Sequence, residues 1–366
     1  MRRARVVLVG AGGIGVAAHL PAVATLADQC TLVGIVDPDA ERRTRASEQF
    51  DGVATFDDVT TALQTEPDLV IVATPPHLHE VGITEALRAG AWAYCEKPLT
   101  GSLASADRIA AVEEQTGRWC VTVSQFRYAG GSGQVRRQLA AGTWGRPLLG
   151  YTHTNWYRGP EYWDAPWRGK YATEFGGSTT TQAYHAIDLL LWLMGGDWSR
   201  VSGTAATLSR PIEVEDASVA TVQFASGALA SVMSTVLSHV PTTTVQVMAE
   251  RATATLRSLY LPLLEEWEVR TTDADGVSIP QPGWPEPEPT LSVNAHRAQL
   301  AELLRHWQAG TRPELTTRES RSTLEFISAL YKSSATGAAV HRGEIRAGDP
   351  FYEALHGAAA TTGAAR

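Results

Sequence analysis

Val6-Val7-Leu8-Val9 runs directly into Gly10-Ala11-Gly12-Gly13-Ile14-Gly15, and the apolar stretch Val16–Ala27 follows. Four consecutive apolar residues suit a strand buried on both faces. The glycine-rich turn and the apolar stretch then make a strand–turn–helix unit. G-x-G-x-x-G alone is weak evidence, because glycine-rich turns are common. Its position between a strand and a helix accounts for each glycine separately. The first makes the tight turn, the second lets backbone approach a pyrophosphate, and the third lets helix pack on strand. Gly10, Gly12, Gly13, Ile14 and Gly15 are therefore candidate cofactor-binding residues, with the helix N-terminus facing the phosphates.

Asp37 ends the next β-rich run, Thr31–Val36, 22 residues after Gly15. An acid at about that distance is expected to hold a ribose 2′-hydroxyl and to repel a 2′-phosphate. NAD is thus favoured, with NADP as the alternative, since Arg42 and Arg43 follow closely.

Further runs, Asp68–Ala73, Ala91–Cys95 and Trp119–Val123, alternate with helical stretches such as Val81–Ala89 and Leu103–Gln115. Alternating β and α units predict a doubly wound parallel sheet of the Rossmann type over residues 1–124. From 125 to 366 the texture changes to an α+β pattern. A helix is expected over Gly133–Ala141, a strand near Leu148–Thr154, and a helix over Thr179–Met194. A large, mostly antiparallel open sheet is expected within Val201–Arg270, and closing helices over Leu291–Ala309 and Arg318–Thr336. Pro280, Pro282, Pro285, Pro287 and Pro289 mark an extended connection, and Gly357–Arg366 reads as a frayed tail.

The 366 residues are enough for two domains. A formal net charge of −8 without a Lys/Arg run opposes a nucleic-acid surface. Cys30, Cys95 and Cys120 are too scattered for a disulfide framework or a Cys-rich zinc site, and no metal is expected. Met1–Arg5 followed by Val6–Val9 imitates a signal peptide, but the apolar run is short and is needed as a strand. No run approaches the roughly 18 apolar residues of a membrane span. A cytoplasmic protein is expected.

Two loops leave the carboxyl ends of the predicted parallel strands, where such folds bind ligands. In Ala73-Thr74-Pro75-Pro76-His77, the candidates for lining the cofactor are Thr74, Pro75 and the nearby His79, with no catalytic role for His77 or His79. In Glu96-Lys97-Pro98 a charged pair ends a buried strand, which is costly unless the charges are used or paired. Glu96 and Lys97 are candidate cofactor contacts. Lys97, beside a cationic nicotinamide, is a candidate proton carrier.

G-x-G-x-x-G, then Glu96-Lys97-Pro98 about 80 residues later, then Gly176-Gly177 leading to His185-Ala186-Ile187-Asp188, resembles the glucose–fructose oxidoreductase / inositol dehydrogenase / MocA family over essentially the whole chain. The resemblance implies hydride transfer between a nicotinamide and a secondary alcohol or ketone of a sugar or cyclitol. It implies Lys97 at the reacting oxygen, His185 as acid/base, and Trp167-Arg168 against the cofactor. It also implies a homodimer or homotetramer built on the second sheet. Redox-assisted glycosidic cleavage with retained NAD, an NAD-sensing regulator, and a reductase of small carbonyl compounds are the alternatives on this fold. One position departs from the family: the acid four residues before the histidine is here Thr181. Glu174, Asp188 and His153 are unranked candidates for the missing partner of His185.

Residues 151–171 hold seven aromatics in 21 residues, against 8% over the chain. Rings with a polar tip suit the faces of a sugar, so Trp156, Tyr157 and Trp163 are candidate substrate contacts. They join Lys97, Thr181 and His185, together with Arg127 and Tyr128 at the predicted domain junction. An oligomer contact is the other reading of the aromatic stretch. The absence of a dense basic cluster disfavours a multiply charged substrate and leaves a single carboxylate or phosphate open.

Overall fold

The computed structural model describes residues 2–257, 267–272, 276–280 and 295–357. Pro282, Pro285, Pro287, Pro289 and all but the first residue of the predicted tail lie outside the described residues. The chain divides into two compact units, residues 1–123 with 296–321, and residues 124–295 with 322–366.

The first unit is built on six parallel strands: β1 (Ala4–Val9), β2 (Cys30–Val36), β3 (Thr55–Phe56), β4 (Leu69–Val72), β5 (Trp92–Cys95) and β6 (Cys120–Thr122). Their order is β3-β2-β1-β4-β5-β6, so the winding reverses between β1 and β4. In such sheets the crevice beyond the carboxyl ends at the reversal is where ligands bind. Val6, Leu8, Ile35, Leu69 and Ile71 are fully buried or nearly so, as expected for strands covered on both faces. Leu300, Leu303 and Leu304, from the Ala295–Ala309 helix, join this core. The connecting helices start on local signals. Asp39, Asp58 and Ser102 each accept backbone N–H bonds at a helix N-terminus. The Leu103–Thr116 helix ends at Gly117, which adopts a left-handed conformation with φ +62°.

The second unit carries a nine-stranded sheet: β7 (Pro147–Tyr157), β8 (Trp198–Ala206), β9 (Ala217–Phe224), β10 (Leu229–Thr235), β11 (Leu237–Ala249), β12 (Ala252–Arg257), β13 (Trp267–Thr272), β14 (Ser278–Pro280) and β15 (Val340–His341). The order is β14-β13-β12-β11-β7-β10-β9-β8-β15. All pairs are antiparallel except β7 with β10. Strict alternation in β9 and β10 buries Ala220, Val222, Ala230 and Val232 on one face. The Tyr184–Leu193 helix packs on the sheet, with Leu190 and Met194 closing on Gly150 of β7.

The expected Thr179–Met194 helix is interrupted. Residues Ser178–Gln182 form a widened turn, in which the Ala183 N–H reaches the Ser178 carbonyl, and the regular helix begins at Tyr184. Two N–H groups at the entry of that turn are held by a carboxylate from another element, Glu215.

Candidate active site

At the carboxyl ends of β1 and β4, Gly10 adopts φ +103° and lies so close to the β4 loop that an added Cβ would sit 2.6 Å from the Ala73 carbonyl oxygen. A Cβ on Gly15 would run into the Gly10 carbonyl oxygen. These two glycines close the turn. Gly12 and Gly13 differ: nothing stands within 4 Å of where their Cβ atoms would be. Gly13 and Ile14 are exposed. The Asp37 carboxylate, buried at the end of β2, accepts the Ala11 N–H at 2.9 Å and the Asp39 N–H at 2.9 Å, which ties β2 to the glycine turn. Arg43 reaches the Asp37 and Pro38 carbonyls, both at 3.1 Å. The Thr74 hydroxyl, after β4, is sealed from solvent and has no hydrogen-bond partner. An open cradle over two glycines, an acid at the second strand and an unsatisfied hydroxyl beside them fit a dinucleotide.

After β5 comes a buried acid. Glu96 is buried. Its Oε1 lies 2.9 Å from Nε2 of His19 and 3.5 Å from Nε2 of His296, while Oε2 accepts the Lys97 N–H at 3.1 Å. Burial alone would raise the Glu96 carboxyl, but its hydrogen bonds with His19 and His296 outweigh it and hold the group well below the usual carboxylate range. Burial pushes the His19 imidazole down, against the pull of Glu96. The neutral ring donates from Nε2, and its Nδ1 has no partner. Lys97 itself is half-buried, and its bond to Pro98 is cis.

His79 is fully buried, with Nδ1 2.9 Å from the Pro98 carbonyl oxygen and Nε2 3.0 Å from that of Thr74. The ring lies between the loops after β4 and β5, and in its neutral form it donates to one of these two carbonyls. Burial pushes its pKa down against both carbonyls. Pro75 is half-buried in the first of these loops.

In the second unit, His185 lies in the first turn of the Tyr184–Leu193 helix, buried, with its ring edge-on to Phe126 at 5.1 Å. The widened turn before it is held from the entry of β9. Glu215, buried, accepts the Gly177 N–H at 2.8 Å, the Thr179 N–H at 2.9 Å and the Tyr331 hydroxyl at 3.0 Å. Thr181 turns its hydroxyl onto the Gly177 carbonyl at 2.5 Å.

Of the acids considered for His185, Asp188 is committed to a two-pronged pair with Arg127, at 2.7 and 2.5 Å, and to the Thr323 hydroxyl at 3.0 Å. Arg127, a candidate substrate contact, is thereby occupied. Glu174 accepts from Arg168 at 3.0 Å and from the Gly169 N–H at 2.6 Å. His153 packs against Tyr151 in a tilted arrangement, ring centres 4.8 Å apart, and burial lowers its pKa. Tyr128 is half-buried.

The aromatic stretch divides into separate groups. Tyr157 stacks on His239 at 4.5 Å and Tyr171 on His356 at 4.3 Å. Trp156, Tyr162, Trp163 and Trp167 form another group with Arg158 and Arg168. Arg168 lies over Trp167 at 4.2 Å and over Tyr162 at 3.9 Å, and it also donates to the Tyr162 hydroxyl. That hydroxyl accepts from Gln182 at 2.8 Å, which joins this group to the turn before His185.

Residues 4–124 match the oxidoreductase family model of the NAD-binding Rossmann fold, and residues 133–255 match the GFO/IDH/MocA C-terminal domain. The chain belongs to the GFO/IDH/MocA family. Its first unit is the family's NAD-binding domain. Among curated relatives, inositol 2-dehydrogenase 4 of Saccharopolyspora erythraea is 31% identical over 63% of this chain and 66% of its own length, just under two thirds. D-apiose dehydrogenase of Paraburkholderia graminis is 26% identical over 88% and 86%. Among solved structures, the WlbA dehydrogenase of Bordetella pertussis, in complex with NADH and UDP-GlcNAcA, superposes with a TM-score of 0.79 at 28% identity. That match covers 93% of this chain and 99% of the other.

His19, His296, Glu215 and Tyr331 escape sequence reasoning. His19 sits at a helical position that reads as core. His296 is 200 residues from Glu96. Glu215-Asp216, two acids opening an alternating strand, is the one sequence signal for buried, backbone-binding carboxylates.

Proposed function

We propose that this chain catalyses NAD-linked hydride transfer at a secondary alcohol or ketone of a sugar, sugar derivative or cyclitol, with Lys97 and His185 as its acid/base groups. NAD, when bound, supplies the hydride acceptor, and Gly12, Gly13, Thr74 and Asp37 are the residues that would hold it. Lys97 holds the reacting oxygen and moves its proton, and His185 is the second acid/base group. The observation that carries this reading is the anchoring of Lys97: its backbone is fixed by an ionised carboxylate that two histidines hold, at the carboxyl edge of the cofactor sheet. Such positioning is what lets one group shuttle a proton repeatedly in a single geometry. His79 contributes by packing between the Thr74 and Pro98 loops, where its single N–H holds one of their carbonyls.

Lys97 is favoured as the direct proton carrier because the position that holds an acid in relatives is Thr181, whose hydroxyl is turned onto its own backbone. Substrate recognition falls to residues 125–366, with Trp156, Trp163 and His185 as the substrate contacts, and cofactor recognition to residues 1–124. The relatives' names, which speak of inositol and apiose, support the substrate class. A second copy of the chain would cover the apolar residues Leu149, Val219 and Leu229 exposed on neighbouring strands, giving a homodimer or homotetramer. No helix among the described residues is long and apolar enough to cross a membrane, and a cytoplasmic location is part of this reading.

Absorbance at 340 nm with NAD and a panel of inositols, aldoses and anhydrosugars tests the reaction. Lys97→Ala should lower kcat by about 10²–10⁴-fold. Near-normal turnover in Lys97→Ala, with His185→Ala inactive, reverses the assignment.

A further inference from the structure

We infer that the sugar taken by this chain carries an anionic oxygen group, a carboxylate or a phosphate, and that Arg158 recognises it. The inference rests on the sugar-binding reading above and names the substrate class more narrowly.

Arg158 and Arg168 both lie over Tyr162, at 4.7 and 3.9 Å. Their electrostatic situations differ. Arg168 is paired at 3.0 Å with Glu174, whose side chain is fully buried, so its charge is met. Arg158 lies between two rings, Trp156 at 4.5 Å and Tyr162, and makes no ion pair or hydrogen bond through its guanidinium among the described residues. Its Nε is sealed from solvent and lacks a partner, and so does Nε1 of Trp163 in the same group. Sealed donors without acceptors are rare in folded proteins, because each has given up its water and gained nothing. Two of them flanking one tyrosine, with one uncompensated positive charge, call for an acceptor that comes from outside the chain.

Ring stacking holds a guanidinium plane while leaving its N–H edge to form a two-pronged bond with a carboxylate or phosphate. The place is also appropriate. Tyr162 accepts from Gln182, three residues before His185, so Arg158 stands two side chains away from the segment that carries His185. Glu161, the neighbouring acid, is exposed and makes no ion pair with Arg158.

Isothermal titration of the NAD-loaded protein with D-glucuronate, D-glucose 1-phosphate and D-glucose tests this without needing turnover. The wild-type chain should bind one of the two anions about tenfold or more tightly than glucose, and which one identifies the group as carboxylate or phosphate. In Arg158→Gln the anion-to-glucose affinity ratio should fall close to one. In Arg158→Lys, which keeps charge but loses the planar fork, part of the preference should survive, and this variant also guards against misfolding of the first. A wild-type ratio near one, undetectable binding of both anions, or a preference that survives in Arg158→Gln overturns the proposal. Tight anion binding with no NADH formed from any sugar tells instead against the hydride-transfer reading.

Discussion

Nε2 of His19 lies 2.9 Å from Oε1 of Glu96, and the other oxygen of that carboxylate accepts the Lys97 N–H at 3.1 Å. A histidine in the helix after the glycine turn thus fixes the backbone of the residue proposed to move the proton. His19→Leu removes a donor from a buried, ionised carboxylate, which costs about 2–3 kcal/mol. A fall in Tm of several degrees should follow, with kcat reduced more than NAD affinity. His19→Gln, which keeps an N–H in reach, should recover part of both. Unchanged Tm and kcat in His19→Leu would mean that Glu96 does not depend on this bond.

Stability should respond to pH from two opposing directions. His19 and His79 are buried and their pKa values are lowered from 6.5, first of all by burial. In the folded chain they stay neutral where the unfolded chain takes up protons. The unfolded state therefore binds more protons as pH falls below about 6.5, and stability falls with it. Glu113 does the reverse. Burial raises its carboxyl from 4.5 to about 7, against bonds from Cys120 and Thr317 and the charge of Arg312. Its contribution is full below the unfolded value and is lost as pH rises through about 7. Glu113→Gln should therefore gain on wild type between pH 5 and 8, by up to ~3 kcal/mol. Thermal melts across that range check this, and a difference that does not grow with pH would show that Glu113 ionises normally.

Glu215 should behave as a positioning residue for His185. Three donors converge on its carboxylate: the N–H groups of Gly177 and Thr179 and the Tyr331 hydroxyl. Glu215→Ala leaves the Gly177 and Thr179 N–H groups buried without an acceptor, a cost of about 2 kcal/mol or more, while the Tyr331 hydroxyl keeps the Thr180 oxygen. The widened turn should loosen, with kcat falling at least tenfold while NAD affinity, which belongs to the first unit, shifts little. Equal losses in both quantities would point to general unfolding instead.

What could be read in advance follows the range of each interaction. The parallel sheet, the glycine turn and Glu96-Lys97-Pro98 are contiguous in sequence, so their patterns survive without knowledge of the fold. The two-residue strand Thr55–Phe56 is too short to have a pattern. The parallel pairing of β7 with β10 joins strands about 80 residues apart, and alternation gives inward and outward faces but not neighbours. The break before Tyr184 is hidden because Ser178–Leu193 keeps its helical spacing and the cause, Glu215, lies more than 30 residues further on. Likewise Arg127 reads as an uncommitted cation until Asp188 is found opposite it.

Asp37 should set cofactor choice, though it is also structural. Its two oxygens accept the Ala11 and Asp39 N–H groups, and each retains a lone pair for a ribose hydroxyl. Asp37→Ser should reduce the NAD-to-NADP affinity ratio about tenfold or more, since it removes the charge that repels a 2′-phosphate and opens the way for Arg43, already at the same turn. A ratio that stays constant in titration calorimetry would place the preference elsewhere.

The glycine turn separates folding from binding. Gly15 faces the Gly10 carbonyl so closely that Gly15→Ala must displace backbone, and Gly10→Ala would add a side chain at φ +103° against Ala73. Both variants should be strongly destabilised, with Tm falling before any cofactor is considered. Gly12→Ala should not behave this way, because nothing in the chain stands within 4 Å of the new methyl group. Its melting temperature without cofactor should stay within a few degrees of wild type. If the open space above Gly12 is where a pyrophosphate rests, the same methyl group should weaken NAD binding at least tenfold. A Gly12→Ala protein that keeps wild-type NAD affinity would show that the pyrophosphate does not approach this backbone.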